Sequence, residues 1–341
     1  MTTELTEQQP SSIPPWLRWT WIVPAIFLVG FLLVPLTMLA TKIIDPQTLP
    51  YFADPRPWQV AGFAATQATI STALAVILGI PMANILTRYR FPGRSWALAV
   101  ATVPFVLPTV VVALAFRVML SGSIGTGFTA VVLAHAYLNL AVVVRIVGAR
   151  WATIDPRLQT VARTLGASTL NAFRSVTIPQ LRSAIAAASA IVFVFSFTSL
   201  GVVLFLGDSS TRTLETLVLR QASVLLDFRA AAASAGIQAV LVAGILLWAA
   251  SQRSFQRGGA TRTFRRQSLN RANRFPVTAL AIIAVGVSII PLIYLVIASV
   301  RTSTNWTLDF WRIASGWKPL DAGSTRIGSP GTAIGRSVMY A

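Results

Sequence analysis

Residues 155–179 read DPRLQTVARTLGASTLNAFRSVTIP, and their capping and turn signals are the most informative in the chain. The opening Asp-Pro predicts a helix start, because an aspartate caps the first turn and a proline fits the first helical position. Apolar residues then recur at helical spacing up to Gly166, which predicts a left-handed stop. Ser168 predicts a second cap, and Pro179 is expected to end the second helix. The sequence therefore predicts two short helices joined by a glycine elbow.

Long apolar segments lie on both sides of this elbow. A helix of about 20 apolar residues spans the hydrocarbon core of a bilayer. Seven such segments are predicted, at residues 21–41, 60–85, 96–119, 127–147, 184–206, 230–250 and 276–300. The expected fold class is therefore all-α, a polytopic transmembrane helical bundle.

The loop at residues 148–183 is long for a connection between two spans, and connections of this length are usually functional or disordered. Its capping signals indicate order. One interpretation is an amphipathic hairpin that lies on lipid headgroups. The other is a pair of helices that protrudes from the membrane.

Composition supports a membrane protein. Of 341 residues, 55% are hydrophobic and 11% are charged, with a mean hydropathy of +0.68, whereas soluble domains carry about 25% charged residues. These values exclude an ordinary soluble enzyme and a disordered basic tail. The absence of cysteine excludes disulfides and thiolate metal sites.

The net charge of +18 is distributed unevenly over the two sides of the predicted bundle. The side that contains the 148–183 loop carries 17 Lys and Arg, and the other side, up to residue 300, carries 6. The positive-inside rule places the basic side and the N-terminus in the cytoplasm. Topology thus explains the charge, and we expect no nucleic-acid partner.

The first and seventh spans share a short repeated sequence pattern. Gly30 and Pro35 recur as Gly286 and Pro291 at an offset of 256 residues. The predicted organisation is a cytoplasmic N-terminal tail, a six-helix domain, a basic cytoplasmic linker, and the start of a second, incomplete half. Their bounds are 1–20, 21–250, 251–275 and 276–341. The chain is accordingly expected to be a fragment of a longer fused protein or a truncated product.

The 155–185 segment resembles the conserved cytoplasmic loop of binding-protein-dependent ABC importer permeases. That pattern is Glu-Ala-Ala, three residues, Gly, nine residues, Ile, one residue, Leu-Pro. The matching positions are Thr160, Val161, Ala162, Gly166, Val176, Ile178 and Pro179. The departure is Thr160, which stands where the family has a glutamate, so a salt bridge from that position to the ATPase is not expected.

The resemblance extends over about residues 60–250. Segments 103–116, 133–145 and 197–222 are similar to helices of these permeases, and the last is typical of the thiamine and ferric-iron branch. It implies a type I-like permease that passes thiamine or ferric iron from an extracytoplasmic binding protein into the cytoplasm. It also implies that loop 155–179 docks on a separate ATPase dimer, and that a second permease half or copy completes the pore in the inner membrane.

No phosphate-binding loop of the form GxxxxGK[ST] occurs in the sequence, so ATP hydrolysis is assigned to the partner subunit. No cofactor, metal site or catalytic residue is predicted in this chain. One histidine, no cysteine and no carboxylate within the spans leave little from which to build a membrane enzyme. The alternative function is a stand-alone secondary transporter or channel, although acid-free spans argue against proton coupling.

Four polar residues are candidates for the translocation path. His135 and Asn139 are four residues apart and share one helical face, and Ser196 and Thr198 lie in the fifth span. An ionisable residue within the membrane is a functional hypothesis by default. The alternatives are hydrogen bonds between helices for the first pair and bonds to their own helix for the hydroxyls.

Overall fold

The computed structural model describes residues 20–120, 122–252, 264, 266–301, 305–315 and 330–340. The helices are α1 (Ile22–Ile44), α2 (Leu49–Ala53), α3 (Pro55–Arg88), α4 (Arg94–Val106), α5 (Thr109–Met119), α6 (Phe128–Trp151), α7 (Arg157–Thr164), α8 (Thr169–Ala172), α9 (Ile178–Phe197), α10 (Gly201–Leu206), α11 (Leu214–Ser223), α12 (Phe228–Ser251), α13 (Arg271–Ser299), α14 (Asp309–Ala314) and α15 (Pro330–Tyr340). Two strands, β1 (Tyr89–Arg90) and β2 (Gln267–Ser268), pair in parallel. By length and composition, the described residues contain six helices able to cross a membrane, or seven if α4 and α5 form one bent span. The all-α class is confirmed.

Helix α6 occupies the centre of the bundle and packs against α3, α4 and α9. Two glycines allow α3 and α6 to approach closely. A Cβ added at Gly79 would lie 2.6 Å from Val143 Cγ1, and one added at Gly148 would lie 2.6 Å from Thr87 Cγ2. Small residues at helix contacts are the usual means of close packing in membranes. By contrast, α1 has no buried residue, and its main packing partner among the described elements is α12.

The third predicted span, 96–119, is two helices rather than one. Helices α4 and α5 meet at 101° across Leu107 and Pro108. Leu107 is extended, with φ −69° and ψ 143°, because the residue before a proline is pushed out of the helical region. The break exposes backbone groups that a continuous helix would satisfy.

The fifth span, expected at 184–206, differs at both ends. Pro179 does not end the loop's second helix: the chain continues from α8 through a π-turn at Phe173–Thr177 into α9, and Thr169–Phe197 forms one helical segment. A single π-turn is one of the irregularities that a helix can contain without ending. At the other end, α9 stops at Phe197, and α10 begins only at Gly201.

Helix α13 packs on the six-helix domain. Val277 and Ala281 are buried against Ile85 of α3, and the Tyr137 hydroxyl donates to the Ser288 carbonyl at 2.7 Å. The predicted tail at 1–20 lies almost wholly outside the described residues, as does much of the 251–275 linker. The second half remains a prediction.

Candidate functional site: an elbow outside the bundle and a polar cavity within it

The first helix of the loop, α7, begins one residue later than predicted. Asp155 caps it from outside, accepting a hydrogen bond from the Arg157 N–H at 2.9 Å, and Pro156 precedes the first helical residue. No residue of α7 is buried. Its exposed residues include Leu158 and Val161, which are 43% and 54% exposed, and Leu165, which follows the helix as its C-terminal cap, is 83% exposed.

The predicted glycine elbow is confirmed by its backbone. Gly166 has φ +93°, a conformation that L side chains rarely adopt. Its N–H donates to the Arg163 carbonyl at 3.1 Å, and the Ala167 N–H donates to the Ala162 carbonyl at 3.0 Å. These two bonds are the Schellman pattern, which satisfies the last carbonyls of a helix. The elbow is therefore set by hydrogen bonds within six residues of chain.

The second helix and its anchor give the elbow a defined position. The Ser168 hydroxyl caps α8 by accepting from the Asn171 N–H at 3.2 Å, as predicted. Gln159 of α7 donates to the Thr177 hydroxyl. The Trp151 ring at the end of α6 stacks on Phe173, with centroids 6.0 Å apart. The loop is thus attached to both membrane helices that it joins.

A cavity of about 310 Å³ lies where the two broken spans meet α6. Leu107 and Thr109 border it from the break between α4 and α5, and Thr198 and Ser199 border it from the break after α9. Phe105 and Phe195 also line it and are about half exposed, at 50% and 45%, so the cavity opens at the surface of this chain. Its polar wall on α6 consists of His135 and Asn139.

The polar residues around the cavity form a network across three helices. The amide nitrogen of Gln67 lies 2.6 Å from His135 Nδ1 and 2.9 Å from the Ser71 hydroxyl. Asn139 Nδ2 donates to the Ser196 hydroxyl at 3.2 Å and to the His135 carbonyl at 2.9 Å. All five side chains belong to residues buried in the bundle.

The opposite, less basic side of the bundle holds a charged cavity and an ordered turn. The cavity, about 640 Å³, includes Arg56, Arg220 and Asp227 in its lining. The Asp208 carboxylate begins the turn, and hydrogen bonds from the Ser210 and Thr211 hydroxyls and N–H groups lower its pKa to about 2. A hydrogen bond from Tyr51 to Asp227 raises the pKa of that phenol.

Residues 75–258 match the family described as binding-protein-dependent transport system inner membrane component. The chain belongs to this family. It is therefore a multi-pass inner-membrane permease, and the family resemblance predicted from the loop is confirmed.

Three relatives agree with this assignment. The chain is 31% identical over 238 residues to the sulfate transport system permease protein CysT of Salmonella typhimurium, covering 65% of this chain and 86% of that protein. It is 30% identical to the molybdate/tungstate transport system permease protein WtpB of Pyrococcus furiosus, over 52% of this chain and 72% of that protein. With the thiamine transport system permease protein ThiP of Escherichia coli it shares 30% identity, over 71% of this chain and 48% of that protein.

The fold itself matches a chain from the crystal structure of a bacterial alginate ABC transporter in complex with alginate pentasaccharide-bound periplasmic protein. The TM-score is 0.59 at 18% identity, covering 72% of this chain and 96% of that chain. The likeness concerns the arrangement of helices.

The permease's predicted site residues fall into two separate groups. The loop residues lie on the elbow: Thr160, Val161, Gly166 and Pro179 are exposed, and Ala162, Val176 and Ile178 are partly buried. The path residues lie together in the bundle, although Ser196 sits behind the cavity, bonded to Asn139, rather than in its lining. The Thr198 hydroxyl donates to the Val194 carbonyl of its own helix at 2.8 Å.

Sequence reasoning missed Gln67, Ser71 and Thr109. Gln67 and Ser71 are four residues apart, the same spacing that singles out His135 and Asn139, but several threonines in the same span weaken the signal. Thr109 became notable only through the break at Pro108. Among the described residues, no group of three or more His, Cys, Asp or Glu could hold a metal ion.

Proposed function

We propose that this permease receives a small solute from an extracytoplasmic binding protein and releases it into the cytoplasm. A separate ATPase dimer drives the transport and binds the elbow, here the whole segment 155–179. The proposal rests on the exposure of Leu158 and Val161 on α7 and of Leu165 at its C-terminal cap, in a loop that is attached at both ends. Exposed apolar patches on a defined scaffold are typical of protein interfaces. ATP is hydrolysed by the partner, and this chain needs no cofactor.

The proposed orientation places the elbow and the N-terminus in the cytoplasm. Arg88, Arg150 and Arg174 lie at helix ends or in the loop on the elbow's side of the bundle. Basic residues concentrate on cytoplasmic loops. The charged cavity around Arg56 and Arg220 then faces the binding protein.

Two classes of solute are candidates. The resemblance at 197–222 favours thiamine or ferric iron, and the ThiP similarity supports thiamine. The chain matches more of the length of the sulfate and molybdate/tungstate relatives than of the thiamine relative. This difference supports a tetrahedral oxyanion as the solute. A second permease half or a second copy is proposed to close the cavity at Phe105 and Phe195.

The elbow's role is tested with Leu165, which is 83% exposed. In the Leu165→Asp variant, a charge is placed in the middle of the proposed contact, and we expect about tenfold weaker association with the ATPase subunit, since burying an unpaired charge at an interface costs at least about 1.4 kcal/mol. Copurification and ATP-driven uptake in proteoliposomes measure it. Leu165→Met is the matched control and should behave as wild type.

Two results would count against the proposal. If Leu165→Asp bound the ATPase subunit as well as wild type, the elbow would not be part of the interface. Uptake by the purified permease without any ATPase subunit would support a stand-alone secondary transporter or channel instead.

A further inference from the structure

We propose that three arginines at the base of the elbow, Arg88, Arg94 and Arg266, form a binding site for a phosphate group, which the level of the site in the membrane assigns to an anionic phospholipid. The site shares no lining residue with the cavity beside His135. Three observations support it: a small cavity with a mainly basic lining, guanidinium groups without partners, and backbone contacts that hold the arginines together.

The cavity lies where the base of the elbow, the end of α3 and the linker meet. Its volume is about 30 Å³, and its lining includes Arg88 of α3, Asp155 of the elbow and Arg266 of the linker. A space of this size admits about two water-sized groups, such as two oxygens of one phosphate, and excludes a whole solute molecule. Arg266 is exposed, so the remainder of a bound phosphate would lie at the protein surface.

The guanidinium groups of the site lack counter-charges. The side chains of Arg88 and Arg266 form no hydrogen bond or ion pair with any residue in the described ranges, although Arg88 is partly buried. Arg94 lies close enough to Arg266 for the two charges to repel each other. Asp155 is the only acid among the described lining residues, and its carboxylate accepts a hydrogen bond from the Arg157 N–H without forming an ion pair in those ranges. Like charges that converge in this way are stabilised by a bound anion.

Backbone hydrogen bonds hold the linker beside the end of α3. Strands β1 and β2 pair in parallel, with Tyr89 opposite Gln267, the residue that follows Arg266. On the other side of Arg266, the Phe264 N–H donates to the carbonyl of Ala152, the C-terminal cap of α6, at 3.0 Å. Arg266 is therefore fixed from both directions along the chain.

Arg94 approaches the site from the first turn of α4. Its Nε donates to the Leu86 carbonyl at 2.5 Å. This bond covers one carbonyl at the C-terminal end of α3, whose partial negative charge would otherwise repel an anion. The site is thus built from α3, α4 and the linker, three segments that a bound phosphate would connect.

The level of the site in the membrane favours a lipid phosphate. Helix α3, and α4 together with α5, are long and apolar enough to cross a membrane, so the connection between α3 and α4 lies near the lipid headgroups. Trp96, in the first turn of α4, is 78% exposed, and tryptophan is enriched at membrane interfaces. Basic pockets at this level bind lipid headgroups, and a guanidinium group can donate two parallel hydrogen bonds to one phosphate.

The test follows the melting temperature of the purified permease in detergent as dioleoylphosphatidylglycerol is added. Dioleoylphosphatidylcholine and inorganic phosphate, at the same concentrations, are the separate probes. We expect phosphatidylglycerol to raise the melting temperature by binding the folded chain, and phosphatidylcholine, whose headgroup has no net charge, to raise it less. In Arg88→Gln and in Arg266→Gln, half of the rise should need about tenfold more phosphatidylglycerol, because each change removes hydrogen bonds to a charged group.

Arg90→Gln is the matched control. It removes the same charge from an exposed arginine that does not line the cavity, and it should bind lipid as wild type does. Arg88→Lys keeps the charge but loses the planar fork, so its binding should fall between wild type and Arg88→Gln. If Arg88→Gln fails to fold, Arg266→Gln decides, because Arg266 is exposed.

Three results would overturn the site: equal effects of the two lipids, an equal loss of binding in Arg90→Gln, or wild-type binding by Arg88→Gln and Arg266→Gln. A rise with inorganic phosphate that matches phosphatidylglycerol and is lost in both variants would support the site and identify a soluble phosphate as its ligand. These measurements involve neither the ATPase nor uptake. Their failure would therefore leave the proposed transport function untouched.

Discussion

The elbow and the cavity differ in the distance along the chain over which each is assembled. The hydrogen bonds that shape the elbow's turn at Gly166 join residues within six positions, from Ala162 to Ala167. The network behind the cavity joins Gln67 to His135, 68 positions apart, and Asn139 to Ser196, 57 positions apart. The elbow is therefore a local structure whose loss should spare the bundle, whereas the cavity depends on how three helices pack.

The largest effect is expected for Gly166→Pro. Proline fixes φ near −65° and has no N–H, so it cannot adopt the φ of +93° or donate to the Arg163 carbonyl. We expect ATP-driven uptake to be abolished while the protein still inserts into the membrane. Gly166→Asn is the matched control, since asparagine tolerates the left-handed region, and it should restore much of the uptake. Normal uptake by a well-expressed proline variant would show that the elbow is not needed.

Gly79→Leu tests the other region. The added side chain would meet Val143, because even a Cβ lies 2.6 Å from Cγ1. Overpacking of this kind costs about 1–3 kcal/mol, and a lower melting temperature in detergent would measure it. Gly62→Leu lies in the same helix with nothing within 4 Å of its Cβ and should melt as wild type. Equal melting of both variants would contradict the close packing of α3 and α6.

A smaller change in the same region is Ser196→Ala. It removes the acceptor of one Asn139 amide bond and leaves the bond to the His135 carbonyl. The expected cost in the free energy of unfolding is about 1 kcal/mol. Ser175→Ala is the control, because that exposed hydroxyl bonds only its own helix and its loss should be close to neutral. If the two variants are equally stable, the network does not contribute to stability.

The smallest effect belongs to the turn at Asp208. Its pKa is about 2 in the folded chain, against a reference value of 3.8. A carboxylate with a lowered folded pKa contributes stability above the unfolded pKa, and this contribution is lost as the pH falls from about 4 toward 2. Asp208→Asn should therefore flatten the pH dependence of the melting temperature in that window. Identical curves for wild type and variant would mean that the turn contributes nothing.

The sequence predicted the elbow well because its signals are local. Ser168 as a cap and Gly166 as the left-handed stop follow from the chemistry of single residues. Pro179 was misread, since a helix can pass a proline when a π-turn precedes it. The segment at 96–119 was expected to be one span, and a 101° break at Pro108 divides it: a proline marks a disturbed helix, and the neighbouring helices decide whether the chain bends or breaks there.

Sequence alone determined the class of molecule, the apolar spans and the family loop, because hydropathy, charge asymmetry and capping act over a few residues each. Tertiary structure decided which polar residues meet. Gln67 and Ser71 of α3 meet His135 of α6 only because those helices pack together, and the cavity exists because two breaks, after Val106 and after Phe197, lie against α6. These contacts join residues far apart in the chain, so only the packed bundle specifies them.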